Sequence, residues 1–179
     1  MAAGIWHSFE ALVPQQSKHE IIEPRHCLGS LPLQSTAIFT QGVVATIVKL
    51  VLDTNIYCDY AEGLPHAVDF LATRGEDIFL PSILIGELTY GFMKGSRQQF
   101  NQRKLQEIIK KLKIEIIDIN QNVSRKYAII YSSLVKKGAK IPINDVWIAA
   151  CCMETGGTLL TRDQHFQHVD QIETVLLRP

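Results

Sequence analysis

From Ile47 onward, short apolar runs alternate with longer amphipathic stretches. Val48-Lys49-Leu50-Val51-Leu52 is apolar and β-branched and stops at Asp53-Thr54-Asn55, the pattern of a buried strand ending in a polar turn. A helical stretch follows around Pro65–Arg74. Ile78-Phe79-Leu80 predicts a second strand closed by Pro81, after which Ser82 can cap a helix running to about Met93, with Gly95 as a stop. A long polar helix is expected over roughly Arg97–Leu112, a third strand at Ile114–Ile117, and a helix over Gln121–Lys137 that ends at Gly138. Pro142 and Asn144 open another helix, through Trp147 to Glu154, stopped by Gly156-Gly157. Thr158–Thr161 and Thr174–Leu177 read as the last strands. Strands alternating with helices in this way predict βα units, hence an α/β fold with a mostly parallel sheet of about five strands covered on both faces.

The first part of the chain breaks the pattern. Pro14, Pro24 and Pro32 fall among scattered apolar residues with no sustained period. Residues 1–47 are therefore expected to form a poorly ordered extension, and 48–179 the folded domain. A translation start placed too far upstream would leave the same pattern.

Composition narrows the function classes. The 179 residues are 46% hydrophobic, enough for a core, and the 18 Lys+Arg balance 18 Asp+Glu. No overall field draws the molecule onto nucleic acid or an anionic membrane, so a nucleic-acid role needs a local patch. No apolar run reaches the roughly 18–20 residues of a membrane span, and no membrane association is expected. Cys27, Cys58, Cys151 and Cys152 show no CxxC spacing, and Met1–Ser8 carries no Lys or Arg. Reduced cysteines and no secretory signal predict a cytoplasmic protein.

In an open parallel sheet, ligands bind beyond the carboxyl ends of the strands. Asp53 follows the first strand and Asp163 lies two residues beyond the fourth, while Asp145 opens a helix directly after Asn144. Glu87 is placed differently: helical spacing puts it on one stripe with Ile83 and Tyr90, where a lone carboxylate needs a partner. Each acid has an ordinary alternative, as an Asx turn, a helix-terminal charge, a cap or a solvated side chain. If all four converge, they need protons or a divalent cation, because two carboxylates about 4 Å apart repel by about 4 kcal/mol at an effective dielectric near 20. An all-oxygen site suits Mg²⁺, or Mn²⁺, rather than zinc. Its expected chemistry is hydrolysis of a phosphodiester by a metal-activated water.

Four ordered segments carry a resemblance. Leu52-Asp53-Thr54-Asn55, Gly86-Glu87-Leu88-Thr89-Tyr90-Gly91, Asn144-Asp145-Val146-Trp147-Ile148-Ala149-Ala150 and Thr161-Arg162-Asp163-Gln164-His165-Phe166 together resemble the PIN domain, in particular the VapC-type toxins of bacterial toxin–antitoxin pairs. The resemblance spans roughly Val48 to Leu177. It implies a three-layer α/β/α fold and a Mg²⁺- or Mn²⁺-dependent endoribonuclease. Asp53 and Asp145 would be the principal metal ligands, with Glu87 and Asp163 completing the cluster directly or through water. Thr54, Asn55, Asn144 and Thr161 would be polar supports. A homodimer and a small antitoxin partner are also implied. Met1–Thr46 has no counterpart in that pattern.

An RNA substrate needs cations. Lys94, Arg97, Arg103, Lys104, Lys110, Lys111 and Lys113 stand against the single acid Glu107 in one stretch, either a phosphate-tracking surface or a solvated helix face. Lys136, Lys137 and Lys140 form a second group. His165 and His168 are three apart without an HExxH context, so His165 is expected to support the site or pack rather than ligate. Trp147 and the adjacent Cys151 and Cys152 read as core. Neither GxxxxGK[ST] nor GxGxxG occurs. The competing functions are a catalytically silent binding module on the same scaffold, a nuclease without an antitoxin, and a DNA nuclease or phosphatase of another α/β family.

Overall fold

Three consecutive residues of the first strand, Leu50, Val51 and Leu52, are all buried. Because alternate strand residues face opposite ways, both sheet faces must be covered there. The computed structural model describes residues 49–74 and 77–178, and the expected extension over 1–47 lies outside them. The elements in chain order are β1 (Lys49–Leu52), α1 (Thr54–Glu62), α2 (Pro65–Arg74), β2 (Asp77–Pro81), α3 (Ser82–Lys94) and α4 (Gln98–Lys111). They continue with β3 (Glu115–Ile117), α5 (Gln121–Lys137), α6 (Ile143–Thr155), β4 (Thr158–Thr161), a 3₁₀ turn (Gln164–His168) and β5 (Glu173–Leu176).

The strands form one sheet in the order β3-β2-β1-β4-β5, parallel throughout. The chain builds outward from β1 through β2 to β3, then crosses to the other side of β1 for β4. The strand order therefore reverses between β1 and β4, which pair in the register Leu52↔Leu160. In α/β sheets the crevice at such a reversal is where ligands bind. The core is continuous across the sheet, from Leu50, Leu80 and Leu159 to Leu84 and Leu88 on α3 and Ile148 on α6.

The predicted elements are present, with three differences. The sequence pattern predicts no helix directly after Asp53, yet α1 begins at Thr54 because Asp53 itself is the N-cap, its carboxylate accepting from Thr54 N–H. Ser82 does not cap α3: Pro81 occupies the cap position and no side chain bonds there. The phase of α3 also differs. Its buried stripe is Leu84, Leu88, Gly91 and Phe92, which leaves Glu87 half-buried on the flank and Tyr90 51% exposed. At the other helices the expected signals operate. Asn120 caps α5 by accepting from Asn122 and Val123 N–H, and Gly138, at φ 66°, closes it in the left-handed region. Cys151 and Cys152 are buried as expected, whereas Trp147 is only partly buried, stacked on Tyr127 of α5 at 4.0 Å between ring centroids.

Candidate active site

The carboxyl ends of β1 and β4 carry the site. Asp53 leaves β1 buried, and three donors fix it. Thr54 N–H binds Oδ1 at 2.7 Å, while Thr161 Oγ1 at 2.5 Å and Asn55 Nδ2 at 2.6 Å bind Oδ2. Since the Thr161 hydroxyl gives its proton to Asp53, its oxygen is left to accept, and Asp163 N–H donates to it at 2.9 Å. Asn55 is oriented from its other end, where Oδ1 accepts from Arg162 N–H at 3.0 Å. The first turn of α1 and the exit of β4 are thereby tied together around one carboxylate.

Glu87 projects from the second turn of α3. Thr54 Oγ1 donates to its Oε2 at 2.8 Å and Asn144 Nδ2 to its Oε1 at 2.6 Å. The partner required by a partly buried carboxylate is thus supplied twice, by two of the four polar residues expected to support the site. Asp163 caps the 3₁₀ turn, accepting from His165 N–H at 2.8 Å. His165 is exposed rather than packed, and its Nδ1 lies 3.1 Å from Asp163 Oδ1 and 3.9 Å from Asp145 Oδ2. One ligand atom from each of Asp145, Asp163 and His165 falls within 4.8 Å of the others.

Asp145 is the exception among the acids. It sits in the first turn of α6, and its Oδ2 is buried without a hydrogen-bond partner among the described residues. Burial raises its pKa to about 7, and the charges of Asp53, Asp163 and Glu87 push the same way. Asp53 is raised to about 6, chiefly by burial; its bonds from Thr161 and Thr54 oppose this, while Glu87 and Asp163 add to it. The four acids therefore share one electrostatic neighbourhood. A buried carboxylate oxygen with no donor, facing further carboxylates, suits a divalent cation that prefers oxygen ligands. Asp145 and Asp163 could hold it, with His165 as a nitrogen donor; Asp53 and Glu87, whose oxygens already accept hydrogen bonds, stand outside that group of three.

The expected cations are placed elsewhere. Lys94 ends α3, where its ammonium lies 4.5 Å from the Tyr90 ring centroid, and Arg97 precedes α4. Arg103, Lys110 and Lys111 are exposed along α4, while Lys104 is half-buried and lies 5.9 Å from the Phe100 ring centroid. Lys104 also acts electrostatically on Glu62 at the far end of α1. No ion pair found among the described residues joins Arg103, Lys104, Lys110 or Lys111 to the acidic cluster.

Sequence reasoning missed one group beside the site. Asp59 is buried on α1, with Arg162 Nε at 3.2 Å and His66 Nε2 at 2.9 Å, both on its Oδ2. The available signal was periodicity, because Asp59 follows Asn55 by four residues and so shares its helix face once α1 is known to be a helix.

Comparison with known proteins agrees with this geometry. The PIN domain family profile matches residues 50–172. Ribonuclease VapC2 of Rickettsia felis is 33% identical over 117 residues, which cover 63% of this chain and 84% of that protein. Ribonuclease VapC4 of Mycobacterium tuberculosis is 28% identical over 95 residues, covering 53% of this chain and 73% of that one. Among solved structures, VapBC2 from Rickettsia felis, bound to a DNA fragment from its promoter, superposes with a TM-score of 0.66 and 26% identity. That match covers 72% of this chain and 98% of the other. In fold, in ordered motifs and in relatives, the chain belongs to the PIN domain family, among the VapC-type ribonucleases.

Proposed function

We propose that this chain is a divalent-metal-dependent endoribonuclease, the toxin of a toxin–antitoxin pair, using Mg²⁺ with Mn²⁺ as an effective substitute. The observation that carries the reading is the buried Oδ2 of Asp145, which has no hydrogen-bond donor among the described residues, in a residue grouped with Asp163 and His165 and electrostatically coupled to Asp53 and Glu87. Asp53 and Asp145 act as principal ligands. Glu87 and Asp163 complete the cluster, and Thr54, Asn55, Asn144 and Thr161 hold the carboxylates in place. When bound, the cation would polarise the scissile phosphodiester and offset the negative charge that builds on it. Asp53 and Glu87 are already fixed by their donors before substrate arrives, so little reorganisation is needed at the moment of reaction. The acidic cluster also offers a carboxylate to take the proton of the attacking water.

The exposed Lys and Arg residues of α4 are the proposed RNA contacts. A small antitoxin protein is the proposed partner. Structural neighbours that are toxin–antitoxin complexes support such a partner. A homodimer is supported by the exposed apolar stripe of Tyr131 and Val135 on α5. Among the described residues the three cysteines are free and buried, which suits a cytoplasmic location.

Asp53→Asn is expected to abolish RNA cleavage while the circular dichroism and melting transition remain those of a folded protein. Full cleavage by that variant, or by the native protein in excess chelator, would falsify the mechanism. Binding of RNA without cleavage, tested with both metals, would favour a silent binding module instead.

A further inference from the structure

Asp59 is a buried carboxylate that the proposed chemistry does not use. It is held by two cationic or potentially cationic partners, Arg162 Nε at 3.2 Å and His66 Nε2 at 2.9 Å. Arg162 lies between Thr161, which donates to Asp53, and Asp163, which belongs to the acidic cluster. β4 ends at Thr161 and the chain bends at Arg162, whose backbone links Thr161 directly to Asp163. Fixing residue 162 therefore constrains both of its chain neighbours. Two attachments do this from one face of α1. Asn55 Oδ1 accepts the Arg162 N–H at 3.0 Å, and one turn further on Asp59 receives its guanidinium. Arg162 acts on Cys58 and Glu62 as well, so its charge is directed toward the far end of α1 and away from the acids.

We infer that Asp59 and Arg162 form a positioning pair that clamps the exit of β4 onto α1 and so sets the distance between Asp53 and Asp163 across which a divalent cation binds. Resting on the nuclease reading given above, this assigns the pair to site geometry. His66 completes the coordination of the Asp59 carboxylate. Groups that orient metal ligands without touching the metal commonly change affinity or activity by about 10–100-fold when removed.

The test uses the full chain with Mn²⁺ as probe, its affinity read by electron paramagnetic resonance or calorimetry, alongside steady-state RNA cleavage. Asp59→Asn and Arg162→Gln are each expected to weaken Mn²⁺ binding by about tenfold or more and to lower kcat, with KM for RNA near native. The double variant should lose no more than either single one, because both break the same link. Arg162→Lys, which keeps a cation for Asp59, should retain more affinity than Arg162→Gln. A lowered melting temperature with native Mn²⁺ affinity and kcat would show a purely structural pair and overturn the inference. Should Arg162→Gln not fold, because it leaves the 3%-exposed Asp59 carboxylate without its arginine, Asp59→Asn decides alone, since the guanidinium it strands is 35% exposed. A native protein that neither binds Mn²⁺ nor cuts RNA overturns the nuclease reading and this one together; native activity with unaltered variants overturns only this one.

Discussion

Asp145 and Asp53 are costly charges whenever no cation is present. Burial raises them to about 7 and about 6, against an ordinary carboxylate value near 4 in the unfolded chain. A carboxyl group whose folded pKa is raised contributes stability that is complete below its unfolded pKa and is lost as pH climbs through its folded pKa. Metal-free protein should therefore lose stability between about pH 4 and about pH 7, by about 1.4 kcal/mol for each unit of displacement. A divalent cation binds the ionised forms and releases protons, so its affinity should rise over the same interval. Melting curves in chelator are expected to shift down from about pH 5 to about pH 7.5, and those in millimolar Mn²⁺ to stay level. Asp145→Asn removes one buried charge while keeping the shape of the side chain. In chelator at about pH 7.5 it should melt above the native protein and gain much less from Mn²⁺. A variant that melts lower in chelator and gains as much from Mn²⁺ would mean Asp145 is not the charge that needs the ion.

The elements were legible where periodicity and caps agree, as at α5, whose bounds, Asn120 cap and Gly138 stop all point one way. Convergence of the acids could also be read, because a parallel sheet brings every strand's carboxyl end to one edge and the order reverses between β1 and β4. The helix α1 could not, since Asp-Thr-Asn suits a turn and an N-cap equally, and here one aspartate both ends the strand and starts the helix. Missing α1 hid Asp59, whose ionic partner Arg162 lies far along the chain. The stripe assigned to Glu87 was out of phase because α3 buries Leu84 and Leu88 instead. One element-level constraint is sharp. A Cβ on Gly157 would stand 2.9 Å from the Lys49 carbonyl oxygen and 3.3 Å from Lys49 Cβ, where β4 enters beside β1. A backbone oxygen held next to the sheet cannot swing aside as a side chain can. Gly157→Ala should therefore cost about 1–3 kcal/mol in urea denaturation, through a displaced β4 that also carries Thr161 away from Asp53. An unchanged unfolding midpoint would show that the start of β4 yields freely.

At the scale of the whole molecule, zero net charge conceals a separation of signs. Acids gather at the sheet edge, while Arg103, Lys110 and Lys111 are exposed along α4. Lys104 is already engaged near Glu62 and Phe100, so it is the weakest of the group as a phosphate ligand. Eight residue steps of α1, about 12 Å at the helical rise, separate Thr54 at the acids from Glu62 beside Lys104. That span corresponds to a few nucleotides of single strand, so cations on α4 would grip RNA flanking the cut rather than the scissile phosphate. Such a grip adds affinity by releasing counterions and leaves the chemical step alone. Replacing Arg103, Lys110 and Lys111 together by alanine should raise KM and leave kcat near native. It should also flatten the dependence of log affinity on log salt by about 0.7 for each phosphate that is no longer neutralised. The slope is the decisive reading, because a general loss of fold would lower kcat without flattening it. A native slope in the triple variant would remove α4 from the RNA path.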